Sequence, residues 1–485
     1  MIKLTLAEIL SAIQGRPWGE LPTVSVAGVS TDSRSVPASD LFFALRGPRF
    51  DGHDFVPAAL KRGAVACVVA TSQAQAVAEK LRAADFAMPR QAVLIEVRDT
   101  IAALGRLAAY HRTQSAAQVI AVVGSNGKTT TKAMIHHILS ARLRGRCSPK
   151  SYNNSVGVPL TLLSAEAGDE FLVVEIGTNA PGEIAALGAL VAPDLVVLTC
   201  VGEEHLEGLW SLAGVAAEEC AILSKLRGKG FAAVNIDRPV VRQHLPGNGV
   251  HVTTFGRDLA ADVRLTEPVY EAPWLKFKLN ERFPFRLRLP GEHNATNAAG
   301  AVTIARRLGF DYGEAAVRLE TFVAPPMRNE LLELGGVTVI NDAYNANPQS
   351  AAAAIEVLKQ MPCRGRRVAV FGEMRELGTQ SRDWHRRVAE WLRDSGVDRV
   401  LLVGEAVSEM QAVLTRGGLF GPAVERCETV EACESRLAAS LQPGDVVLLK
   451  ASRAVELDRL VEPLRAALGA GETEEDDRSG TEVQR

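Results

Sequence analysis

The chain has 485 residues, too many for one hydrophobic core, so two to four domains are expected. Hydrophobic content of 47% and charged content of 23% are those of a packed globular protein. The formal net charge of -3 argues against the positive surface that nucleic acid requires, so no nucleic-acid partner is expected.

Met1 to Leu10 lacks the basic start and apolar run of a secretory signal, and no stretch reaches the roughly 20 apolar residues that span a bilayer. No membrane span and a cytoplasmic location are therefore expected. The seven cysteines (Cys67, Cys147, Cys200, Cys220, Cys363, Cys427 and Cys433) are an odd number and form no Cys-x-x-Cys pair, which points to reduced thiols. Only 12 of the 54 basic residues are lysine, so Lys128, beside a glycine loop, and Lys450, at a strand end, stand out.

Residues 1–98 carry short strand-like runs, Leu41–Leu45, Ala64–Val69 and Ala92–Val97, among glycine, proline and serine turns. A helix over Thr100–Thr113 opens a second region, 99–312. Its apolar runs Val119–Val123, Phe171–Ile176, Leu195–Cys200 and Phe231–Asn235 alternate with helices, as a helix-covered parallel sheet requires. Alternating polar and apolar residues from Val263 to Leu289 then predict an antiparallel meander, followed by a helix after Gly291. A third region, 313–468, alternates again, with strands expected at Val337–Ile340, Arg367–Phe371, Arg399–Val403 and Asp445–Leu449. Residues 469–485 are polar and acidic, and are expected to form a disordered tail. The fold class is α/β in three domains. A small N-terminal α/β domain precedes a central parallel-sheet ATPase domain with an added meander, and a Rossmann-like C-terminal domain follows.

The chemistry starts at Gly124, Ser125, Asn126, Gly127, Lys128, Thr129 and Thr130, between an apolar strand and a helix-like run. Glycines let backbone N–H groups turn inward, the helix N-terminus adds positive potential, and Lys128 reaches terminal phosphates. Thr129 offers a hydroxyl to Mg²⁺. Val122 stands where the common eight-residue form has its first glycine. An ATP site follows. Glu175, ending an apolar strand near that loop, is placed to hold Mg²⁺, and His205, after the next strand, is a candidate second ligand.

Ten ordered motifs then make the chain resemble the Mur ligases from about residue 25 to 465. They are Ser30-Thr-Asp-Ser-Arg34, Phe50-Asp-Gly-His53, the loop at Gly124, Tyr152-Asn-Asn-Ser155 with Gly157-Val-Pro159, and Glu175-Ile-Gly177 with Pro181-Gly-Glu183. The rest are His205-Leu-Glu-Gly208, Gly291-Glu-His-Asn294, Asn341-Asp-Ala-Tyr-Asn-Ala-Asn-Pro348, Gly372-Glu-Met-Arg-Glu-Leu-Gly378 and Lys450-Ala-Ser-Arg453. The resemblance is strongest to the branch that joins D-alanyl-D-alanine to UDP-N-acetylmuramoyl-tripeptide, and implies that reaction, driven by ATP through an acyl phosphate. It implies two Mg²⁺ ions, Thr129 and Glu175 holding one and His205 the other; a monomer is expected. By the same resemblance Asn294 contacts adenine, Asp342 the ribose and Arg328 the phosphates. Thr31, Asp32, Ser33 and Arg34 lie along the UDP moiety, and Asn153 and Asn154 contact substrate. Asn345 and Asn347 belong to the dipeptide or its pocket loop, although Asn347-Pro348 also opens a helix unaided. Lys450 and Arg453 either reach the substrate or merely charge a helix start.

One position departs from the family. Mur ligases carry a carbamylated lysine in the stretch after the residue matching His205, and Glu219 stands at that position. The nearest lysine, Lys225, lies six residues later on another face. Glu219 is expected to supply directly the carboxylate that carbamylation otherwise makes, with Glu218 as the neighbouring alternative. Other functional readings are a diamino-acid-adding Mur ligase, a folylpolyglutamate synthetase-like ligase, and an inactive homologue that binds ATP without turnover.

Overall fold

Near-continuous apolar runs become buried parallel strands, because a sheet covered by helices on both faces has no solvent side for polar residues. The computed structural model describes residues 4–48, 50–83, 92–247, 249–416 and 421–469. From residue 470 the expected acidic tail lies outside the described residues.

The central sheet runs in the order Phe283–Leu287, Trp274–Leu279, Val263–Glu271, His251–Gly256, Phe231–Asn235, Leu195–Leu198, Gln118–Val123, Phe171–Glu175, Gly145–Cys147. Pairing is parallel from Val263–Glu271 to Gly145–Cys147, and antiparallel within the meander. Val119 to Val123 are all buried, each valine and isoleucine side chain contributing roughly 1.5–3 kcal/mol on the scale of full transfer from water. Helices Lys128–Leu139 and Glu292–Arg307 pack together over one face, burying Ile135, Ile138, Ala298 and Val302. Helices Thr100–Gln114, Gly157–Leu163 and Glu183–Val191 cover the other.

The N-terminal region forms a sheet in the order Arg16–Trp18, Val93–Val97, Ala66–Ala70, Leu41–Phe43, Val29–Ser30. The C-terminal sheet runs Glu330–Leu334, Val337–Asn341, Val446–Lys450, Arg367–Gly372, Arg399–Val403, Ala423–Cys427, parallel except for its first pair. The doubly wound third region is therefore present. Its start moves, however. Helix Tyr312–Glu320, which the boundary expected between 312 and 313 would separate from the central domain, packs on that domain. Tyr312 stacks on Phe283, Arg142 pairs with Glu314 at 2.8 Å, and Arg318 donates to the His137 carbonyl. Its apolar face completes the core beneath the meander, so the C-terminal domain begins after it.

Among the described residues no helix is long and apolar enough to cross a membrane. All seven cysteines are free.

Candidate active site

The strand Gln118–Val123 delivers the chain at Gly124, and the helix Lys128–Leu139 leaves it, so the loop between lies at the C-terminal end of the sheet. Open parallel sheets bind ligands there. Gly127 caps that helix with φ +81°, and a Cβ on it would stand 2.1 Å from Asn297 Oδ1, so only glycine fits. The loop borders a cavity of about 500 Å³ whose walls come from both the central and C-terminal domains.

The expected residues divide clearly. Ser125, Asn126, Gly127, Lys128, Thr129, Thr130, Asn153, Asn154, Glu175, His205, Asn294, Arg328, Asp342, Asn345 and Lys450 all line this cavity. Gly124, Glu219 and Asn347 lie just behind its wall. Thr31, Asp32, Ser33 and Arg34 follow the N-terminal strand Val29–Ser30 and do not line it. Arg34 holds Asp32 at 2.8 Å, and its hydrogen bonds lower that carboxyl to about 2. Arg453 is half exposed, pairs with Asp458 at 2.5 Å and is also off the cavity.

Lys128 Nζ donates to the carbonyls of Gly124 and Ser125 and lies 3.8 Å from Glu204 Oε1. Burial opposes its charge, but Glu204, Glu219 and Glu175 outweigh burial and hold it above the ordinary lysine value. Glu219 is fully buried, and its Oε2 accepts from the Gly124 N–H at 2.7 Å. Burial pushes this carboxyl up to about 7, Lys128 opposing and Glu204 adding. Glu218 turns the other way. Its oxygens accept from the backbone N–H groups of Gly182 and Ile184, capping the helix Glu183–Val191. Of the two neighbouring carboxylates, Glu219 faces the phosphate loop.

Glu175 is also buried with both oxygens engaged, Oε2 by Lys132 Nζ at 3.0 Å and Oε1 by Asn153 Nδ2 at 3.1 Å. Lys132 was not anticipated. It lies one helical turn beyond Lys128, so the i,i+4 spacing carried the signal. Glu204, directly before His205, was missed too. His205 is held above its ordinary value, burial opposing while Glu376 and Glu204 prevail.

At the far wall, His293 Nε2 meets Asn329 Nδ2 at 2.9 Å, and burial lowers this ring to about 4, so it is neutral. Asn294 donates to the Pro290 carbonyl at 2.7 Å and accepts from Asn297 at 3.2 Å. Arg328 stacks on Tyr344, its guanidinium carbon 3.9 Å from the ring centroid, and Nη2 donates to Thr129 Oγ1 at 3.2 Å. Tyr344 lies within the motif Asn341–Pro348 but was given no role there, and Gln349, just beyond it, gave no sequence signal, because only the tertiary fold brings them to the loop.

Asn347 caps the helix Pro348–Gln360 by accepting from the Ser350 N–H at 2.8 Å, and its Nδ2 donates to Asn126 Oδ1 at 3.0 Å. Asn126 Nδ2 donates in turn to Gln349 Oε1 at 2.9 Å. Asn154 accepts from the N–H groups of Val156 and Gly157. The buried ammonium of Lys450 is 2.6 Å from Asp342 Oδ2 and 2.7 Å from the Asn345 carbonyl. Lys450→Met should leave that carboxylate buried without a counter-charge, at up to about 3–5 kcal/mol. Urea melts should show the loss and its partial recovery in the Asp342→Asn/Lys450→Met double variant; a single variant melting like wild type would refute the pairing's importance.

Three family models match the chain: "Mur ligase family, catalytic domain" over residues 25–112, "Mur ligase middle domain" over 122–305, and "Mur ligase, glutamate ligase domain" over 327–453. The chain is 31% identical to the UDP-N-acetylmuramoyl-tripeptide–D-alanyl-D-alanine ligase of Bacillus subtilis (strain 168), covering 96% of this chain and 99% of that one. It is 32% identical to the same-named ligase of Escherichia coli (strain K12), with the same coverage. The chain belongs to the Mur ligase family.

This Mur ligase is also similar to solved structures of that branch. MurF from Acinetobacter baumannii superposes with a TM-score of 0.82 at 28% identity, covering 96% of this chain and 99% of that chain. MurF ligase from Thermotoga maritima in complex with ADP gives 0.77 at 27% identity, covering 92% and 98%. The three-domain order of the Mur ligases is the order described above.

Proposed function

We propose that this Mur ligase joins D-alanyl-D-alanine to UDP-N-acetylmuramoyl-tripeptide at the expense of ATP, making a peptidoglycan precursor. The observation that carries the reading is one cavity with the phosphate loop on one wall and the Asp342–Asn345 stretch on the other. A carboxylate oxygen of the tripeptide attacks the γ-phosphorus of ATP and ADP leaves, giving an acyl phosphate. The dipeptide amine attacks the acyl carbon, phosphate leaves, and the nitrogen loses a proton. Lys128 and Arg328 offset the charge gathered on the γ-phosphoryl oxygens. The shared wall keeps water from the acyl phosphate. Asn294 lies at the adenine end and Asp342 at the ribose. The Thr31–Arg34 turn, which does not line the ATP cavity, serves the UDP end, and the enzyme works as a cytoplasmic monomer.

Magnesium fits the donor set. Glu204 Oε1 and Glu219 Oε1 are buried without hydrogen-bond partners among the described residues, on the side of the loop where Lys128 lies. Among the described residues no cluster of three or more His, Cys, Asp or Glu could hold a metal by itself. Mg²⁺ commonly takes one or two carboxylates plus substrate phosphates, so nucleotide must complete its shell. Thr129 and Glu175 would hold one ion; His205 and Glu219, with Glu204, would hold the other. The ions supply neutralisation of phosphate charge.

The deciding experiment is phosphate release from ATP with purified protein, using tripeptides ending in lysine and in diaminopimelate. Release should require both UDP-linked tripeptide and D-alanyl-D-alanine. If neither stimulates it, the assignment fails, and ATP binding without turnover would mark an inactive binding module. Glu219 already carries a carboxylate, so depleting carbon dioxide should leave the rate unchanged. Recovery of a depleted rate on adding bicarbonate would show that a carbamate is still needed.

A further inference from the structure

The contact between the loop Glu373–Gly378 of the C-terminal domain and the helix Leu206–Leu209 of the central domain has no role in the scheme above. Glu376 Oε2 lies 2.6 Å from His205 Nδ1, an ion-pair contact that lacks the alignment of a hydrogen bond. The Glu376 carbonyl accepts from the Glu207 N–H at 3.2 Å. Gly378 completes the contact: a Cβ there would stand 3.2 Å from the Glu207 Cα, and its φ is +53°.

Both facing residues sit in the left-handed backbone region, His205 at φ +48° and Glu376 at φ +64°. Non-glycine residues persist there only where their surroundings hold them, and such positions concentrate at functional sites. Here each domain holds its residue toward the other. The second ring nitrogen, His205 Nε2, lies 3.8 Å from Glu204 Oε2, on the side of the cavity where Lys128 is found. One end of the imidazole thus meets the C-terminal domain and the other meets the phosphate site.

We propose that Glu376 is a positioning residue that couples docking of the C-terminal domain to the orientation of His205. A carboxylate beside Nδ1 favours a proton on that nitrogen and fixes the ring edge bearing Nε2 toward the phosphate site. This is the usual way an outer carboxylate fixes a functional histidine. The docking contact and the ring-orienting contact are then one contact. When the domains part, His205 loses the group that fixes its ring, so a complete site forms only in the closed arrangement. The inference rests on the ligase reading for its consequence in turnover, but not for the ring geometry itself.

The Glu376 side chain is half exposed, so substitution there opens no cavity. The test uses the full chain with ¹⁵N-labelled histidine, His205 being identified by the signal lost in His205→Asn. In wild type the His205 signals should show a proton held on Nδ1. In Glu376→Ala they should shift to those of an imidazole exchanging between tautomers, and Glu376→Gln, whose amide oxygen still accepts, should restore much of the wild-type pattern. In the ligase assay kcat of Glu376→Ala should fall by about 10–100-fold with KM for ATP little changed. A purely structural clasp would lower the melting temperature and leave the ring signals alone. Identical His205 signals in wild type and Glu376→Ala would overturn the proposal, as would an unchanged kcat. If wild type forms no product, the ligase reading fails separately, and the ring signals still decide the contact.

Discussion

Lys128→Ala should cut substrate-dependent phosphate release by about 10²–10³-fold or more, the effect of removing an aimed donor from the transition state. The ammonium also stands among Glu204 and Glu219, both buried, so it does two jobs. Removing it leaves two carboxylates without their shared cation, at a cost of about 3–5 kcal/mol less whatever protonation recovers. Stability and turnover must therefore be separated. Melting curves in the assay buffer identify a temperature at which the variant remains folded, and the loss of turnover should persist there. Lys128→Arg should not rescue it, since a planar guanidinium cannot replace a compact ammonium seated against two loop carbonyls. Wild-type turnover by either folded variant would remove Lys128 from the mechanism.

Acid should unfold this protein well before carboxylate titration alone would do so. His111, buried in the helix Thr100–Gln114, and His293, in the wall of the nucleotide cavity, are both lowered to about 4, burial being the main cause. The unfolded chain takes up each proton near pH 6.5, before the folded protein does. Their contribution is fully present above that value and lost as pH falls toward 4. Each is worth up to about 3 kcal/mol. Urea midpoints should therefore fall steeply between pH 6.5 and 4.5. His111→Gln should flatten the slope even if it lowers the midpoint throughout. A midpoint constant across that range in wild type would contradict the account.

The central fold was legible because its strands are unusually plain: Phe231–Asn235 was located to the residue, and Val119–Val123 to within one. What escaped was marginal strand. Gly145–Cys147 has three half-buried residues, while Glu330–Leu334 and Ala423–Cys427 lie at sheet edges and carry charge, so none shows an apolar run. The expected boundary between residues 312 and 313 fell at the start of the helix Tyr312–Glu320, because amphipathic spacing says which face of a helix is buried, not against what.

The same distinction governs the site. Loop residues that act through backbone and sequence spacing, Gly127 and Lys128 above all, could be named in advance. Glu204 and Lys132 were overlooked although both sit within four residues of a named group. The scarcity of lysine that drew attention to Lys128 and Lys450 applied equally to Lys132. Asn126, Asn347 and Gln349 illustrate the remainder. Their amides meet across 221 and 223 residues of sequence, a separation no local pattern encodes.

That cross-domain amide contact has a consequence for inhibition. The nucleotide cavity is a seam, with Asn126 and Lys128 on one lip and Arg328, Tyr344 and Lys450 on the other. A small molecule gripping one lip competes with ATP at its cellular concentration. A molecule stitched to both lips would draw its affinity from the domain arrangement as well, and would leave by the slow parting of two halves of the protein. Its residence time, more than its equilibrium rivalry with nucleotide, would set its potency.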